Sequence, residues 1–364
     1  MPVKGPAPLS VGFRTLTTCA AAVIVLWGIR QLSAVIAPAF LALTLTIAVS
    51  PLRNRLKGWA AAFVPLTVIL LLLCALGGAV VIAAARFAAL VPSYADRYRR
   101  LLSSAGTALH DIGIDQSQIR KALSGIDPDR LIQAAQGLLS GLTGTVTAVV
   151  ITVLVLYGMS LDAAVFRRAT GALATERPDL VSALRGFARD TCCYLVVCTV
   201  FGLIVALLDT AVLALLGVPL PLLWGLLSFI TNYIPNVGFV IGLAPPAVLA
   251  LLDSGVATML WVIVAYCVLN FVIQSVVQPK FAGRSARLSV TVTMLSLLVW
   301  TWALGALGAI LAVPLSSFAR AVLLDADPAT AWAAPLVTGT EPDTGTGPDT
   351  GPGSATGPGP EREG

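Results

Sequence analysis

The chain has 364 residues, of which 57% are hydrophobic and 11% are charged, and its formal net charge is +5. A mean hydropathy of +0.90 excludes a water-soluble globular protein for most of this length and indicates a polytopic membrane protein. The basic residues stand in short loops beside apolar runs, where they orient membrane helices rather than bind phosphate. We therefore expect the lipid bilayer, and not a nucleic acid, as a partner.

The sequence shows no catalytic or metal-binding motif of the kinds considered below. The six cysteines lie inside or at the edge of apolar runs without paired metal-site spacing, so neither disulfides nor zinc are expected. His110 is the only histidine, and no phosphate-binding loop or serine-nucleophile elbow occurs. We predict that the protein is not an enzyme and needs no cofactor.

Eight apolar runs divide the chain, and those after residue 59 are long enough, at about 1.5 Å per residue, to cross a hydrocarbon core of about 30 Å. The runs occupy residues 15–29, 32–50, 60–85, 142–160, 191–216, 222–252, 257–277 and 288–324. The first two follow each other almost directly after a cytoplasmic N-terminus, residues 1–14, and we interpret them as a membrane hairpin. Together with 60–85 they make up the N-terminal membrane helices, residues 15–85. The predicted fold is all-α with about eight membrane segments.

Three further regions flank or interrupt these runs. Residues 86–138 carry apolar and aromatic side chains at helical spacings, which predicts an external helical cap. Residues 139–325 form the main membrane region, which includes an arginine-rich amphipathic pair of cytoplasmic helices at 161–190. That pair is more simply a solvated face at the lipid headgroups than a partner site. The Pro, Gly and Thr-rich tail, 326–364, buries too little apolar area to order itself and is predicted to be a disordered cytoplasmic segment.

Two runs are too long for a single crossing and break in the middle. Residues 222–252 are interrupted at 231–238 (Thr-Asn-Tyr-Ile-Pro-Asn-Val-Gly), and 288–324 are interrupted at 305–308 (Gly-Ala-Leu-Gly). The short basic loop at 280–287 should be cytoplasmic. It falls on that side if 222–252 is a re-entrant hairpin that enters from outside. The same logic makes 288–324 a second hairpin, entering from the cytoplasm.

The break in 222–252 suggests where a solute path could lie. In hydrocarbon an unpaired backbone group costs several kcal/mol, so a break persists only where protein or water re-satisfies it. Broken helices of this kind often build the binding sites of transporters. The alternative is a proline kink or a tight hairpin tip without a ligand. The candidate path residues in the break are Asn232, Tyr233, Pro235, Asn236 and Gly238.

The helix predicted at 257–277 carries a polar stripe. Tyr266, Asn270, Gln274 and Gln278 recur every four residues and so lie on one face. Neutral amides donate and accept hydrogen bonds, so the stripe can replace the hydration shell of a polar solute. Alternatively, the amides bind neighbouring helices, an interaction worth about 0.6 kcal/mol each. Both interpretations are open for Asn270 and Gln274; Gln278 is kept in the candidate path although it and Tyr266 favour a structural role.

Asp209 is the only acid well inside an apolar run. Insertion of such a carboxylate costs about 2.5–3.5 kcal/mol, so its presence suggests a proton or ion site. The alternative is that Asp209 lies near the outer surface and is hydrated, because Gly217-Val218-Pro219 follows shortly.

Four sequence elements, taken together in their order and spacing, resemble the autoinducer-2 exporter family of bacterial permeases over roughly residues 15–324. The elements are Leu223-Trp224-Gly225-Leu226-Leu227, the break at 232–238, Gln278-Pro279-Lys280 with Gly283, and residues 304–314 (LGALGAILAVP). The resemblance implies about eight membrane segments, a bacterial inner-membrane location and self-association into a homo-oligomer. It also implies export of small polar signals or, in some members, cation/proton exchange.

The chain departs from the family pattern at two places. Ile273 stands near where many members carry a glutamate, and Leu288-Ser289-Val290 lacks a proline that is often found there. The missing acid weakens the implication of cation exchange and leaves Asp209 as the remaining coupling candidate.

We therefore predict a secondary transporter that exports a small polar solute, such as an autoinducer-2-like signal, with a proton or sodium ion as the candidate coupling ion. The alternative is a non-transporting membrane scaffold that binds partners through its cap and its cytoplasmic helices.

Overall fold

The computed structural model describes residues 11–57, 60, 63–82, 85–86, 89, 128–235, 237–278 and 289–326. Within these ranges the chain is helical and has no β-strand, as the all-α prediction requires. Most of the predicted cap, Asn236, the basic loop at 280–287 and the tail from residue 327 lie outside the described residues.

The N-terminal region contains four helices, α1 (Val11–Gln31), α2 (Ser33–Ala48), α3 (Ser50–Arg55) and α4 (Phe63–Ile82). The axes of α1 and α2 meet at an angle of 90°. The predicted membrane hairpin of 15–29 and 32–50 is therefore wrong, because the two helices are perpendicular and not antiparallel. Only Leu32 separates the two helices, and its carbonyl still accepts a helical hydrogen bond from the Ile36 N–H, at 2.9 Å. This single residue is too short a loop to reverse the chain.

Two long helices follow, α5 (Pro128–Glu176) and α6 (Pro178–Leu215). Only Arg177 separates them. Pro178 ends one helix and starts the next, because proline is tolerated in the first helical turn but not in the interior. The predicted helix pair at 161–190 thus consists of the adjoining ends of α5 and α6, each continuous with a longer helix, and not of two separate short helices.

A helical hairpin is formed by α7 (Pro221–Thr231) and α8 (Gly238–Ser254). The two helices are antiparallel: a Cβ built on Gly242 of α8 would lie 3.6 Å from the Cα of Ser228 on α7, and one on Gly238 would collide with the carbonyl of Thr231. The predicted break at 231–238 is confirmed, since α7 ends and α8 begins at its two limits.

A second reversal occurs near the C-terminus. After α9 (Val256–Asn270), which continues as a π-helix over Phe271–Val277, α10 (Val290–Ile310) is broken at Gly305, where φ is 67°. The chain doubles back into α11 (Ala312–Arg320), so that the Trp300 indole N–H donates to Ser316 Oγ at 2.9 Å. A Cβ on Gly308 would collide with the Trp300 carbonyl. The break predicted at 305–308 is confirmed.

The C-terminal helices pack around α6 and the first hairpin. One apolar cluster joins Leu213 of α6, Trp224 of α7, Ala250 of α8 and Val262 of α9. The tip of the first hairpin reaches the second reversal, where Ile234 packs against a buried group of three residues, Leu297, Ala309 and Ala312. This arrangement buries Thr231 and Gly238 at the two ends of the break and leaves residues 232–235 partly buried.

By length and apolar composition, four of the described helices can cross a membrane, or five if the bent pair α1 and α2 counts as one span. The four are residues 63–82, 178–215, 256–274 and 290–310. Three apolar helical segments are shorter: the hairpin helices α7 and α8, and residues 146–162. The protein is therefore a multi-pass membrane protein, and the number of about eight segments stays a prediction.

The hairpin formed by α7 and α8 predicts a labelling pattern. In a variant with the six native cysteines replaced, single cysteines at the exposed residues Leu222 and Ser254 should react with a membrane-impermeant maleimide from the same side, because both ends of a hairpin return to one surface. A cysteine at position 284 serves as the control and should react from the opposite side, since α9 lies between. Reaction of positions 222 and 254 from opposite sides would contradict the hairpin.

Candidate functional site

A small polar cavity lies between α6, the hairpin and α9. Its volume is about 10 Å³, roughly the space for one water molecule. The structure brings four predicted site residues to its wall: Asn232, Asn270, Gln274 and Asp209. The full lining is Val205, Asp209, Ser228, Thr231, Asn232, Phe239, Gly242, Tyr266, Asn270 and Gln274. We call this space the polar cavity.

Three amide side chains form a hydrogen-bonded row on one wall, which we call the amide chain: Asn232, Gln274 and Asn270. The Gln274 side-chain N–H group donates to Asn270 Oδ1 at 2.8 Å and to Asn232 Oδ1 at 3.4 Å. Asn232 donates to the Cys198 carbonyl at 3.0 Å, and Asn270 to the Tyr266 carbonyl at 2.9 Å. The amide chain thus ties the hairpin turn to both α6 and α9. Asn232 and Asn270 each keep a second amide N–H beyond these bonds.

Glycines allow these backbones to approach. A Cβ on Gly202 of α6 would lie 2.8 Å from the Asn232 amide nitrogen, and one on Gly225 of α7 would collide with Thr210 Oγ1. A Cβ on Gly242 of α8 would lie 3.0 Å from Thr231 Oγ1. Small residues at helix contacts permit such close packing in membrane proteins.

Sequence reasoning did not single out Gly202, although a signal was available. Small side chains recur every four residues along α6, a spacing that places them on one face of the helix. They are Cys198, Gly202, Ala206 and Thr210.

Asp209 is fully buried, which contradicts hydration by bulk water, whereas its depth in the membrane stays a prediction. Neither of its oxygens makes a hydrogen bond to a described residue, and the same holds for Ser228 Oγ and the Tyr266 hydroxyl. All three groups line the polar cavity. Tyr266, for which the sequence analysis favoured a structural role, therefore lines the cavity, and so does Ser228, which the sequence analysis did not single out.

Four other predicted path residues are described and lie outside the cavity lining: Tyr233, Pro235, Gly238 and Gln278. The prediction for Asn236 falls outside the described residues. Tyr233 anchors the turn to α6: its hydroxyl is 2.7 Å from Thr199 Oγ1, and its carbonyl accepts a hydrogen bond from Tyr194 at 3.0 Å. Gln278 lies beyond the π-helix, past the last cavity residue of α9.

Two backbone N–H groups of the turn between α7 and α8 form hydrogen bonds within the turn. The Gly238 N–H donates to the Ile234 carbonyl at 3.0 Å, and the Val237 N–H donates to the Pro235 carbonyl at 2.7 Å. The backbone N–H groups of Val237 and Gly238 are therefore paired within the break.

Ile273 occupies an apolar seam beside the cavity. It is buried against Phe201 and Val205 of α6. Ile273 thus makes a helix contact, and the carboxylate that lines the cavity, Asp209, is on α6.

Comparisons with known proteins agree on a membrane transporter. A family model described as AI-2E family transporter matches residues 17–326. The AI-2 transport protein TqsA of Escherichia coli strain K12 is 30% identical over 310 residues, 83% of this chain and 89% of that protein. Putative transport protein YhhT of the same strain is 29% identical over 327 residues, 87% and 92% of the two chains. A putative transport protein of Haemophilus influenzae is 28% identical over 338 residues, 90% and 97% of the two chains.

The close approach at Gly202 predicts the effect of one added methyl group. Gly202→Ala should displace the Asn232 amide from the Cys198 carbonyl and lower the free energy of unfolding by about 1 kcal/mol, the scale of hydrogen bonds between membrane helices. Gly186→Ala on the same helix is the control, since its Cβ meets open space. Thermal unfolding of both variants in detergent measures the difference. Equal stability of the two variants would contradict the described contact.

Proposed function

This chain belongs to the AI-2E family of transporters, and on that premise we propose that it is a secondary transporter that exports a small polar solute across the bacterial inner membrane. The observation that carries the proposal is the convergence of the amide chain and Asp209 on one cavity between the hairpin and two long helices. The name of the relative AI-2 transport protein TqsA supports an autoinducer-2-like polar signal as the solute class.

The solute path runs along the amide chain. Asn232, Asn270 and Gln274 offer both donors and acceptors without placing a charge in the membrane, which suits a neutral or zwitterionic solute. At about 10 Å³ the polar cavity has room for one water but not for such a solute. The hairpin α7 and α8 must therefore move away from α6 and α9 during transport. The amide bonds that resist this motion contribute only about 0.6 kcal/mol each, so solute contacts can replace them.

Asp209 is the proposed coupling residue. A buried carboxylate that changes its bound proton or ion between two conformations ties solute movement to an ion gradient. The sequence contains no glycine-lysine phosphate-binding loop, so an ion gradient and not ATP hydrolysis by this chain is the proposed energy source.

The membrane arrangement that goes with this function has about eight segments. The hairpin of α7 and α8 enters from outside, and the second reversal, in 288–324, enters from the cytoplasm, where the tail also lies. The cap, 86–138, is external, and the protein acts as a homo-oligomer. Nothing in the described residues favours the scaffold alternative.

Replacement of a path amide tests the proposal. Asn270→Leu removes two of the hydrogen bonds of the site and should lower solute flux into proteoliposomes about tenfold, the effect of roughly 1.4 kcal/mol. The lipid-facing substitution Leu298→Ala should leave flux near the wild-type value. Thermal stability is measured on the same preparations, because a purely structural role predicts flux that falls only in step with stability. Unchanged flux in both Asn270→Leu and Asn232→Leu would contradict the path.

A further inference from the structure

We propose that the π-helix Phe271–Val277 is a register switch, which converts to an α-helix during transport and thereby withdraws Gln274 from Asn232. The inference rests on the proposed transport function and extends it, because it supplies a cause for the release of the hairpin from α9.

The π-helix lies in the wall of the polar cavity. Its hydrogen bonds span five residues instead of four, as in the bond from the Gln278 N–H to the Ile273 carbonyl. Such helices are rare, mostly single turns, and frequent at functional sites. Gln274, at the centre of this one, donates to both Asn270 and Asn232. The uncommon geometry therefore coincides with the side chain that joins the hairpin turn to α9.

The sequence of this segment reduces the usual advantage of the α-helix. β-Branched side chains lose rotamer freedom in an α-helix, and they make up four of its seven residues: Val272, Ile273, Val276 and Val277. Pro279 follows in the sequence, and in an α-helix a proline ring clashes with the carbonyl four residues earlier. The π and α forms of the segment are therefore closer in free energy than in an ordinary helix.

Two apolar pairs offer α6 equivalent partners in the two registers. Ile273 and Val277 pack in the apolar seam with α6. Val272 and Val276, each one position earlier, are 44% and 43% exposed. Each residue advances about 100° around an α-helix, and less around the wider π-helix. With α9 fixed, conversion to the α-helix turns every later side chain forward and brings Val272 and Val276 to α6.

The same rotation opens the amide chain. Gln274 turns past Asn232, and Ile273 takes its place, so that an apolar side chain faces the hairpin turn. The bond that is lost, from Gln274 Nε2 to Asn232 Oδ1, is 3.4 Å long, beyond the usual range for N–H···O hydrogen bonds. The seam with α6 keeps an apolar pair in both registers. Two packed arrangements of this kind are what a molecular switch requires.

Disulfide cross-linking in a variant without the six native cysteines tests the switch. Val205 of α6 belongs to the same buried cluster as Ile273. Oxidation by copper phenanthroline is followed over time on purified protein in liposomes, without solute. We expect two pairs to cross-link: Val205→Cys with Ile273→Cys, which meet in the π register, and Val205→Cys with Val272→Cys, which meet in the α register.

A further substitution shifts the balance between the registers. Ile273→Ala removes the side chain that fills the seam in the π register. Added to the pair Val205→Cys with Val272→Cys, it should raise the cross-linking rate about tenfold, the effect of roughly 1.4 kcal/mol. Val277→Ala, at the partly buried position of the same seam, should act in the same direction and decides the question if Ile273→Ala does not fold.

The α-helical part of α9 provides the matched control. Val262 is buried in a cluster with Leu213 of α6, and Trp261, one position earlier, is 64% exposed. The pair Leu213→Cys with Val262→Cys should cross-link, whereas Leu213→Cys with Trp261→Cys should not, because this part of the helix has a single register.

Three outcomes would overturn the switch. Cross-linking of position 273 alone would mean a fixed π-helix that only accommodates Pro279, and cross-linking of position 272 alone would mean an ordinary α-helix. Cross-linking of position 261 as fast as that of position 272 would mean general mobility of the helices. Solute flux is measured separately. Intact flux with a single register would overturn only the switch, whereas two registers without flux would overturn only the transport function.

Discussion

The close backbone contact between α6 and the hairpin is the constraint on which the site depends. In a membrane, polar side chains must find partners inside the protein, and the partners must be near enough to bond. Side chains that would keep α6, α7 and α8 apart are absent at three positions: Gly202, Gly225 and Gly242. As a result Asn232 reaches the Cys198 carbonyl, and the hairpin turn is held against α6 and α9 without any ion pair at that point.

Local features of the structure could be predicted from the sequence, and contacts between helices could not. Proline, glycine and amides inside apolar runs are local signals, and both breaks, at 231–238 and 305–308, occur where they indicate. The four-residue period of the 266–278 stripe placed Asn270 and Gln274 on one wall. The 90° corner at Leu32 was missed because length and hydropathy do not specify the angle between consecutive helices. Ser228 was missed because a lone serine in an apolar helix gives no signal in the sequence. Its place in the cavity depends on the helices that pack against it.

The two halves of the polar cavity have different chemistry and suggest different tasks. The amide chain is neutral and already hydrogen-bonded, so it exchanges partners at small cost, as a solute path requires. The half around Asp209, Ser228 and Tyr266 has side-chain oxygens without a hydrogen bond to a described residue, and Asp209 is its titratable group. Because both halves touch the hairpin, a change in one alters the position of an element that the other also needs.

The central claim is that the hairpin of α7 and α8 moves away from α6 to let a solute pass. The most direct test is to measure the distance between spin labels on these elements during transport. Val200 on α6 and Val240 on α8 are both exposed and can carry labels after replacement of the native cysteines. In proteoliposomes with an imposed ion gradient and solute, the account predicts a second population with a longer distance between the labels. A single, unchanged distance in a sample that transports solute at the wild-type rate would contradict it.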